Sequence, residues 1–433
     1  MTDIKNITGE LVAEVNESTV GIQPRQKSKP WQRWIDAELG LRNHWYPVIR
    51  SQDLRDGESK AIKVLGEDIY LTRQKGAVRA VEDRCRHRGV KFSDRPLHYT
   101  DETVTCWYHT WTYNLDDGQL CAVLSDESCS HIGRIGIKVY PAREAQGLVF
   151  LFIGDIEPPD LRLDVPPGFL DENTASYVAA PYIVDANWRL GCENGFDPSH
   201  HFIHNWSPWT MDSGTPMPFG WVSSREALKN VLVYEDADDG PKGFTRYLSQ
   251  TTTSQQANIP LKDGGFTCVQ TNSAWGKTAA EIAAMGETGD VGVDIIVGCW
   301  LPAGLVVAPF PKKRITHYEF YVPQDEKSHH YIQVGQLQEV TDPAERGRWE
   351  KTDGHFHWEV PAVQGFTIDD KFAREGLQRF YGEEDGWHNE RLFQPDLEIT
   401  MWRKFASTHA RGVQTRANSL GEFPRSNISG EQR

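Results

Sequence analysis

Two mixed cysteine–histidine pairs constrain this chain more than any other feature. Cys85-Arg86-His87 is followed, eighteen residues further on, by Cys106-Trp107-Tyr108-His109. Each pair offers one thiolate and one imidazole, so two loops have to converge to use all four. Structural zinc sites prefer Cys-x2–4-Cys followed by His-x3–5-His. Here the order is Cys-x-His and then Cys-x2-His. A [2Fe–2S] centre with two thiolates on one iron and two neutral imidazoles on the other needs this set. Exchanging thiolates for imidazoles makes the cluster less negative and raises its potential, so it accepts an electron from a modest donor.

The sequence around the pairs reads as a small all-β unit. Short apolar runs at Ala61–Leu65, Asp68–Thr72, Ala77–Val81, Thr103–Tyr108, Ile135–Tyr140 and Leu148–Ile153 are separated by Gly, Asp-Gly and Lys-Gly turns. Gly89, just past the first pair, can adopt backbone angles that bring amides towards the sulfides, and Trp107, Tyr108 and Trp111 would limit water. Before this unit, residues 1–30 read as a loose arm and Trp31–Gly40 as a short amphipathic helix. After it, Gly154–Phe169 is rich in Asp, Pro and Gly and reads as a linker. Strands are expected at Val231–Tyr234, Asp294–Leu301, Leu305–Ala308, Ile315–Val322 and Tyr331–Gln338, then helix from Pro343 past Trp402, with Asp342 as its cap. The expected fold class is α+β, an all-β cluster domain plus a domain with an antiparallel sheet flanked by helices. The divisions are a helical arm at 1–42, a [2Fe–2S] domain at 43–160, a second domain at 161–413 and a polar tail at 414–433.

Composition excludes several function classes. A formal charge of −15 argues against nucleic acid or an anionic membrane as partner. The longest apolar run, Leu148–Ile153, is far short of the ~20 residues that cross a bilayer, and the first thirty residues carry no secretory or transit pattern. A soluble, cytoplasmic protein is expected. Seven cysteines scattered over 433 residues fit no disulfide framework, so some are expected to bind metal and the rest, with Cys121 and Cys129 as structural residues among them, to be buried small apolar side chains.

The second chemical motif is Asn194-Gly195-Phe196-Asp197-Pro198-Ser199-His200-His201-Phe202-Ile203-His204. In a helix, His200 and His204 are four apart and share a face, a spacing that suits two imidazoles on one metal ion. Asp197 and Asn194 would step back along that face, with Asp197 as N-cap and Pro198 at the first helical position. His201 would point about 100° away and is a bystander. A carboxylate from elsewhere would complete a two-His-one-carboxylate triad on non-haem Fe(II). The best source is Gly365–Glu375, where Asp369 and Asp370 compete for the role and the loser caps the helix.

With these residues in view, the chain resembles the oxygenase (α) subunit of Rieske non-haem iron ring-hydroxylating oxygenases. It is most similar to the homotrimeric subgroup that includes carbazole 1,9a-dioxygenase and 2-oxoquinoline 8-monooxygenase. The matching runs are Arg42-Asn43-His44-Trp45-Tyr46-Pro47, Cys85 to Val90, Thr105 to Tyr113, Glu193 to His200, Gly365 to Glu375 and Trp402-Arg403-Lys404. The resemblance implies one [2Fe–2S] cluster on Cys85, His87, Cys106 and His109 and one mononuclear iron on His200, His204 and Asp370. It implies that Asp197 links His200 to a cluster histidine of the neighbouring subunit, in a head-to-tail homotrimer. Electrons would come from NAD(P)H through a reductase, with or without a ferredoxin. Asn194, Gly195, Val297, Phe310 and Phe366 are the candidate pocket residues. The implied reaction is dioxygenation of a fused nitrogen heteroaromatic, such as carbazole, a quinolinone or an indole derivative like indole-3-acetate. Monooxygenation, or an aromatic carboxylic acid as substrate, is the alternative.

Overall fold

Strand β1 (His44–Arg50) pairs antiparallel with β10 (Leu148–Ile153), closing the N-terminal β unit on itself in the computed structural model. The structure describes residues 28–197, 200, 203–204, 207–213, 231–234, 240–248, 256–260, 266–270, 295–393 and 396–419. The Leu148–Ile153 run is buried along its whole length, which explains why it is continuously apolar rather than alternating. One reason is Phe150, whose ring lies 6.2 Å from Phe169 and 6.4 Å from Phe320. Through these contacts the β unit and the second sheet share one core.

Within the β unit, β2 (Ser59–Val64), β3 (Glu67–Gln74), β4 (Ala77–Glu82) and the short β8 (Val139–Tyr140) form an antiparallel sheet, while β9 (Ala142–Ala145) edges β10. The β2–β3 and β3–β4 hairpins turn on Leu65-Gly66 and Lys75-Gly76, all four residues with positive φ, the geometry that two-residue hairpins favour. A second sheet, β5 (Thr103–Thr105), β6 (Trp111–Asn114) and β7 (Leu120–Val123), packs over a separate core that contains Cys85 and Cys106. The expected strand to Tyr108 stops at Thr105, because Cys106 begins the second ligand loop.

The second region is built on an antiparallel sheet of eight strands among the described residues. Its order runs β11 (Ala175–Val178), β20 (His329–Leu337), β19 (Ile315–Pro323), β18 (Gly304–Ala308), β17 (Ile295–Trp300), β14 (Gly243–Leu248) and β13 (Val231–Tyr234), with β12 (Tyr182–Val184) also on β20. A hairpin of β15 (Gln256–Pro260) and β16 (Phe266–Gln270) stands apart. Helices α1 (Gln32–Asp36), α2 (Trp188–Phe196), α3 (Pro208–Ser213), α4 (Pro343–Arg348), α5 (Ile368–Glu383) and α6 (Leu397–His409) accompany it. Asp342 caps α4 as expected, its carboxylate accepting from the Ala344 amide at 2.9 Å, with Pro343 in the first turn. The helical run then widens into π-helical turns over Trp349–Asp353 and His355–Gln364 before α5 begins.

The Gly154–Phe169 segment is clamped rather than loose. Buried Asp164 accepts from the Trp45 amide at 2.9 Å and from His44 Nδ1 at 2.7 Å, and it pairs with Arg411 beyond α6. Burial lowers the His44 pKa, and its Nε2 accepts from the Arg411 amide at 3.2 Å, so the ring is neutral. The Asn43-His44 run thus ties the β unit to Arg411, just beyond α6.

Helix α2, which leads into the histidine motif, is held by a buried ion cluster. Arg403 of α6 makes a two-pronged bond to Glu193, both at 2.7 Å, and reaches Glu390 at 2.5 Å, while Trp34 Nε1 donates to Glu193 at 2.6 Å. Arg403 is 1% exposed. Arg403→Ala leaves buried Glu193 without its two-pronged cation and Glu390 with Lys29 as its remaining cation, and the expected loss is about 3–5 kcal/mol of stability, measured by denaturant unfolding.

Candidate metal centres

The two Cys-His loops converge. Cys85 and Cys106 are buried, and a hydrogen bond between their thiols draws Cys106 down to about 6 while pushing Cys85 up. His87 and His109 face each other edge on, with ring centroids 4.5 Å apart. His87 stacks on Trp111 at 4.9 Å, and Tyr108 packs against His109 at 3.8 Å. The imidazoles are only partly buried, so the thiolate side of the site faces the core and the imidazole side faces outward. Desolvation and the adjacent His109 lower the His87 pKa, favouring the neutral ligand form.

Loop geometry explains the spacing. Cys85 N–H donates to Val90 O at 2.9 Å and Gly89 N–H to Cys85 O at 2.8 Å, a tight turn that Gly89 closes with φ +77. The Gly89 amide is therefore engaged by the Cys85 carbonyl and not aimed at a sulfide. The second loop repeats the pattern, Thr110 N–H donating to Cys106 O at 2.9 Å with Thr110 at φ 58. Tyr113 places its hydroxyl 3.5 Å from Cys85 Sγ. The donor set fits a two-thiolate, two-imidazole cluster: both Nδ1 atoms, of His87 and His109, are buried and make no hydrogen bond among the described residues. Cys121 and Cys129 stand outside it, and Cys121 is exposed rather than buried.

The second site brings His200, His204 and Asp370 together, with candidate ligand atoms all within 4.8 Å of one another. Asp370 Oδ1 lies 3.4 Å from His200 Nε2 and 3.5 Å from His204 Nε2. Each ring is aimed by its other nitrogen. His200 Nδ1 donates to the main-chain carbonyl of Asp197 at 2.6 Å, and His204 Nδ1 donates to Ser207 Oγ at 3.3 Å. Orienting bonds of this kind fix the tautomer that presents Nε2 to a metal. Ser207 in turn donates to Asp369. Asp369 is thus engaged by the hydroxyl that orients His204, and Asp370 is the carboxylate that meets the imidazoles. Burial alone would raise the Asp370 carboxyl, but His204 and His200, with Arg374 behind them, hold it well below the usual carboxylate range. Burial alone would also lower His200, yet the Asp370 carboxylate and Asp197 raise it. Asp370 Oδ1 is buried without a hydrogen bond among the described residues, and two imidazoles with one carboxylate are the donor set of a facial iron triad.

Two expectations about this motif need correction. Asp197 is not the N-cap of a helix carrying both histidines. It is the C-cap of α2, its amide bonded to the carbonyls of Glu193 and Asn194, and it is extended at φ −65, ψ 119. His200 and His204 lie in 3-10 turns. His201, Pro198 and Ser199 lie outside the described residues.

The pocket residues divide. Phe366 stacks on His204 at 3.7 Å, and Phe310 is 5.3 Å from Phe366 and 6.1 Å from Trp209. Val297 is buried in the same core. Asn194 and Gly195 have different duties from those expected. Asn194 Oδ1 accepts from Arg374 Nε at 2.6 Å. At Gly195 an added Cβ would sit 2.1 Å from the Tyr321 hydroxyl and 2.9 Å from Leu305, so the missing side chain makes room for the protein's own tyrosine. Gly191, one turn earlier, meets Tyr321 and His329 in the same way. Tyr321 is fully buried and donates to Glu319, so Gly195→Ala should cost about 1–3 kcal/mol through overpacking, read as a lowered unfolding midpoint. The Glu319, Tyr321 and Arg374 group was missed in the sequence. Its one signal is that Arg374 falls four residues after Asp370, on the same helix face.

A family model described as homotrimeric ring hydroxylase matches residues 152–414, and one described as Rieske [2Fe-2S] domain matches residues 44–141. The chain belongs to the homotrimeric ring hydroxylases. Among relatives of this family, the terminal oxygenase component of carbazole 1,9a-dioxygenase from Metapseudomonas resinovorans is 38% identical over 92% of this chain and 98% of that protein. The solved terminal oxygenase of carbazole 1,9a-dioxygenase from Nocardioides aromaticivorans IC177 is 42% identical with TM-score 0.77, covering 89% of this chain and 99% of that one. An oxygenase solved in a reduced complex with ferredoxin, also of carbazole 1,9a-dioxygenase, is 37% identical with TM-score 0.76, covering 90% and 95%. The ring hydroxylase is accordingly an oxidoreductase of the Rieske non-haem iron class, with an all-β Rieske domain and a catalytic domain of antiparallel sheet and helices. No helix among its described residues is long and apolar enough to cross a membrane.

Proposed function

We propose that this chain is the terminal oxygenase of a cytoplasmic multicomponent dioxygenase acting on a fused nitrogen heteroaromatic, with carbazole, quinolinones and indole derivatives as the substrate class. The observation that carries the reading is the His200, His204 and Asp370 triad set beside Phe366, Phe310 and Trp209 in a chain that also carries a Rieske domain. In this reading residues 43–160 hold the [2Fe–2S] cluster on Cys85, His87, Cys106 and His109, and residues 161–413 hold the iron. Bound at the triad, ferrous iron with open coordination positions supplies dioxygen activation. The protein's own residues do the rest. Phe366 braces the His204 ring and, with Phe310 and Val297 of the same core, offers an apolar wall suited to a fused ring system. Asp197 holds His200 through its carbonyl and, through its carboxylate, links to a cluster histidine of the neighbouring subunit in the head-to-tail trimer. The outward-facing imidazole edge of the cluster loops supports that route. Electrons enter from NAD(P)H by way of a reductase and a ferredoxin, as the ferredoxin complex of a relative suggests.

Product analysis under ¹⁸O₂ with reductant and a panel of carbazole, quinolinones and indoles tests the proposal. Two labelled atoms in one product are expected. A single labelled atom would make the enzyme a monooxygenase, and absence of any labelled product from the whole panel, with turnover of a monocyclic aromatic run beside it, would overturn the substrate class.

A further inference from the structure

Arg374 is fully buried, yet no carboxylate forms a two-pronged pair with it. Its Nε donates to Asn194 Oδ1 at 2.6 Å. The guanidinium lies over the rings of Tyr331 at 4.5 Å and Tyr321 at 5.0 Å. The nearest carboxylate, Glu319, is 3.8 Å away and is already engaged by His317 Nε2 at 2.8 Å and by the Tyr321 hydroxyl. Neither terminal amine makes a hydrogen bond among the described residues. Burying a cation is costly, and a protein built only for packing would place a neutral side chain here. The placement has a second consequence. Arg374 lies one helical turn after Asp370 on α5, and Asn194 lies on α2 three residues before Asp197. One side chain therefore spans the two elements from which the carboxylate and the first histidine of the triad are delivered.

We propose that Arg374 is a positioning residue for the iron site, setting the Asp370 carboxylate against the two imidazoles by locking α5 to the end of α2. The two tyrosine rings hold the guanidinium in place without cancelling its charge, so Asp370 faces a fixed positive field from its own helix. Asn194 is the anchor that fixes the direction of that field. This inference rests on the iron-triad reading given above.

The test uses the intact protein with its cluster. Arg374→Met, Arg374→Lys and Asn194→Ala are compared with wild type for iron and sulfide content per subunit, and for the electron paramagnetic resonance signal of the ferrous site probed with nitric oxide. Arg374→Met is expected to weaken iron retention about 10–100-fold, as loss of a partner that orients a ligand does, with unchanged sulfide content and a changed nitric oxide signal. Arg374→Lys, which keeps the charge but loses the Nε bond to Asn194, should recover only part of the retention. Asn194→Ala should change the signal while iron is kept, and it decides the matter if Arg374→Met does not fold. Wild-type iron retention and signal in both Arg374→Met and Asn194→Ala would overturn the proposal. Full iron retention by Asp370→Ala would instead overturn the triad on which it rests.

Discussion

Asp370→Ala is expected to remove the mononuclear iron and to reduce product formation by more than the about 10–100-fold that loss of an outer partner causes, while the [2Fe–2S] absorbance is unchanged. The carboxylate is the only acidic group that meets both imidazoles among the described residues, at 3.4 and 3.5 Å, and it supplies the negative charge of the triad. Without it, two imidazoles remain in a buried site, and a divalent ion loses its one anionic ligand. Asp369→Ala is the control. Asp369 accepts from Ser207, the hydroxyl that orients His204, so its loss should loosen one ring and leave iron largely in place. Iron and acid-labile sulfide per subunit, measured beside turnover, separate the two outcomes. Equal iron loss in both variants would mean that the two carboxylates share the ligand role.

The chemistry of the sites was more legible in the sequence than their local geometry. Cysteine and histidine at fixed short spacings announce a ligand loop because few other uses need that pattern, and the four residues do converge. The four-residue spacing of His200 and His204 points to a shared site on one helix, and the structure brings the two rings within 5.4 Å of each other on 3-10 turns instead. The difference has a local cause. A proline disfavours helical angles in the residue before it, so Asp197-Pro198 marks an end as readily as a beginning, and here Asp197 terminates α2. The strands of the catalytic sheet that were found are the apolar ones. Gly243–Leu248 was missed because its sequence, GFTRYL, mixes a glycine, a threonine and an arginine into a strand of the large sheet.

Packing across elements was not legible at all. Nothing in the local sequence says that Gly191 and Gly195 exist to admit Tyr321 and His329 from the neighbouring sheet. The same is true of Arg403 reaching Glu193 across 210 positions, because such pairs are set by tertiary contact and carry no periodic signature. What the glycines and the ion cluster share is a purpose. Both seat α2 firmly, and α2 ends at the residue whose carbonyl aims His200.

Asp197→Ala exploits that last detail. The bond that orients His200 comes from the main-chain carbonyl of Asp197, which any substitution retains, so the variant is expected to keep its iron and its cluster. The carboxylate is then the part removed, and its assigned duty is contact with the neighbouring subunit's cluster histidine. Turnover should fall by about 10–100-fold, the range for loss of an orienting partner, with the deficit lying in electron delivery. Single turnover of fully reduced protein with substrate and oxygen reads this directly, because cluster oxidation is followed by its own absorbance. Slow cluster oxidation in a protein with full iron content is the expected result. Oxidation at the wild-type rate would show that electrons reach the iron without the Asp197 carboxylate. Asp197→Asn adds the remaining distinction, since an amide keeps the shape and an acceptor oxygen but not the charge. Recovery of cluster oxidation by Asn would place the function in hydrogen-bond geometry across the subunit boundary, whereas failure to recover would place it in the negative charge that the side chain presents to the neighbouring subunit's cluster histidine.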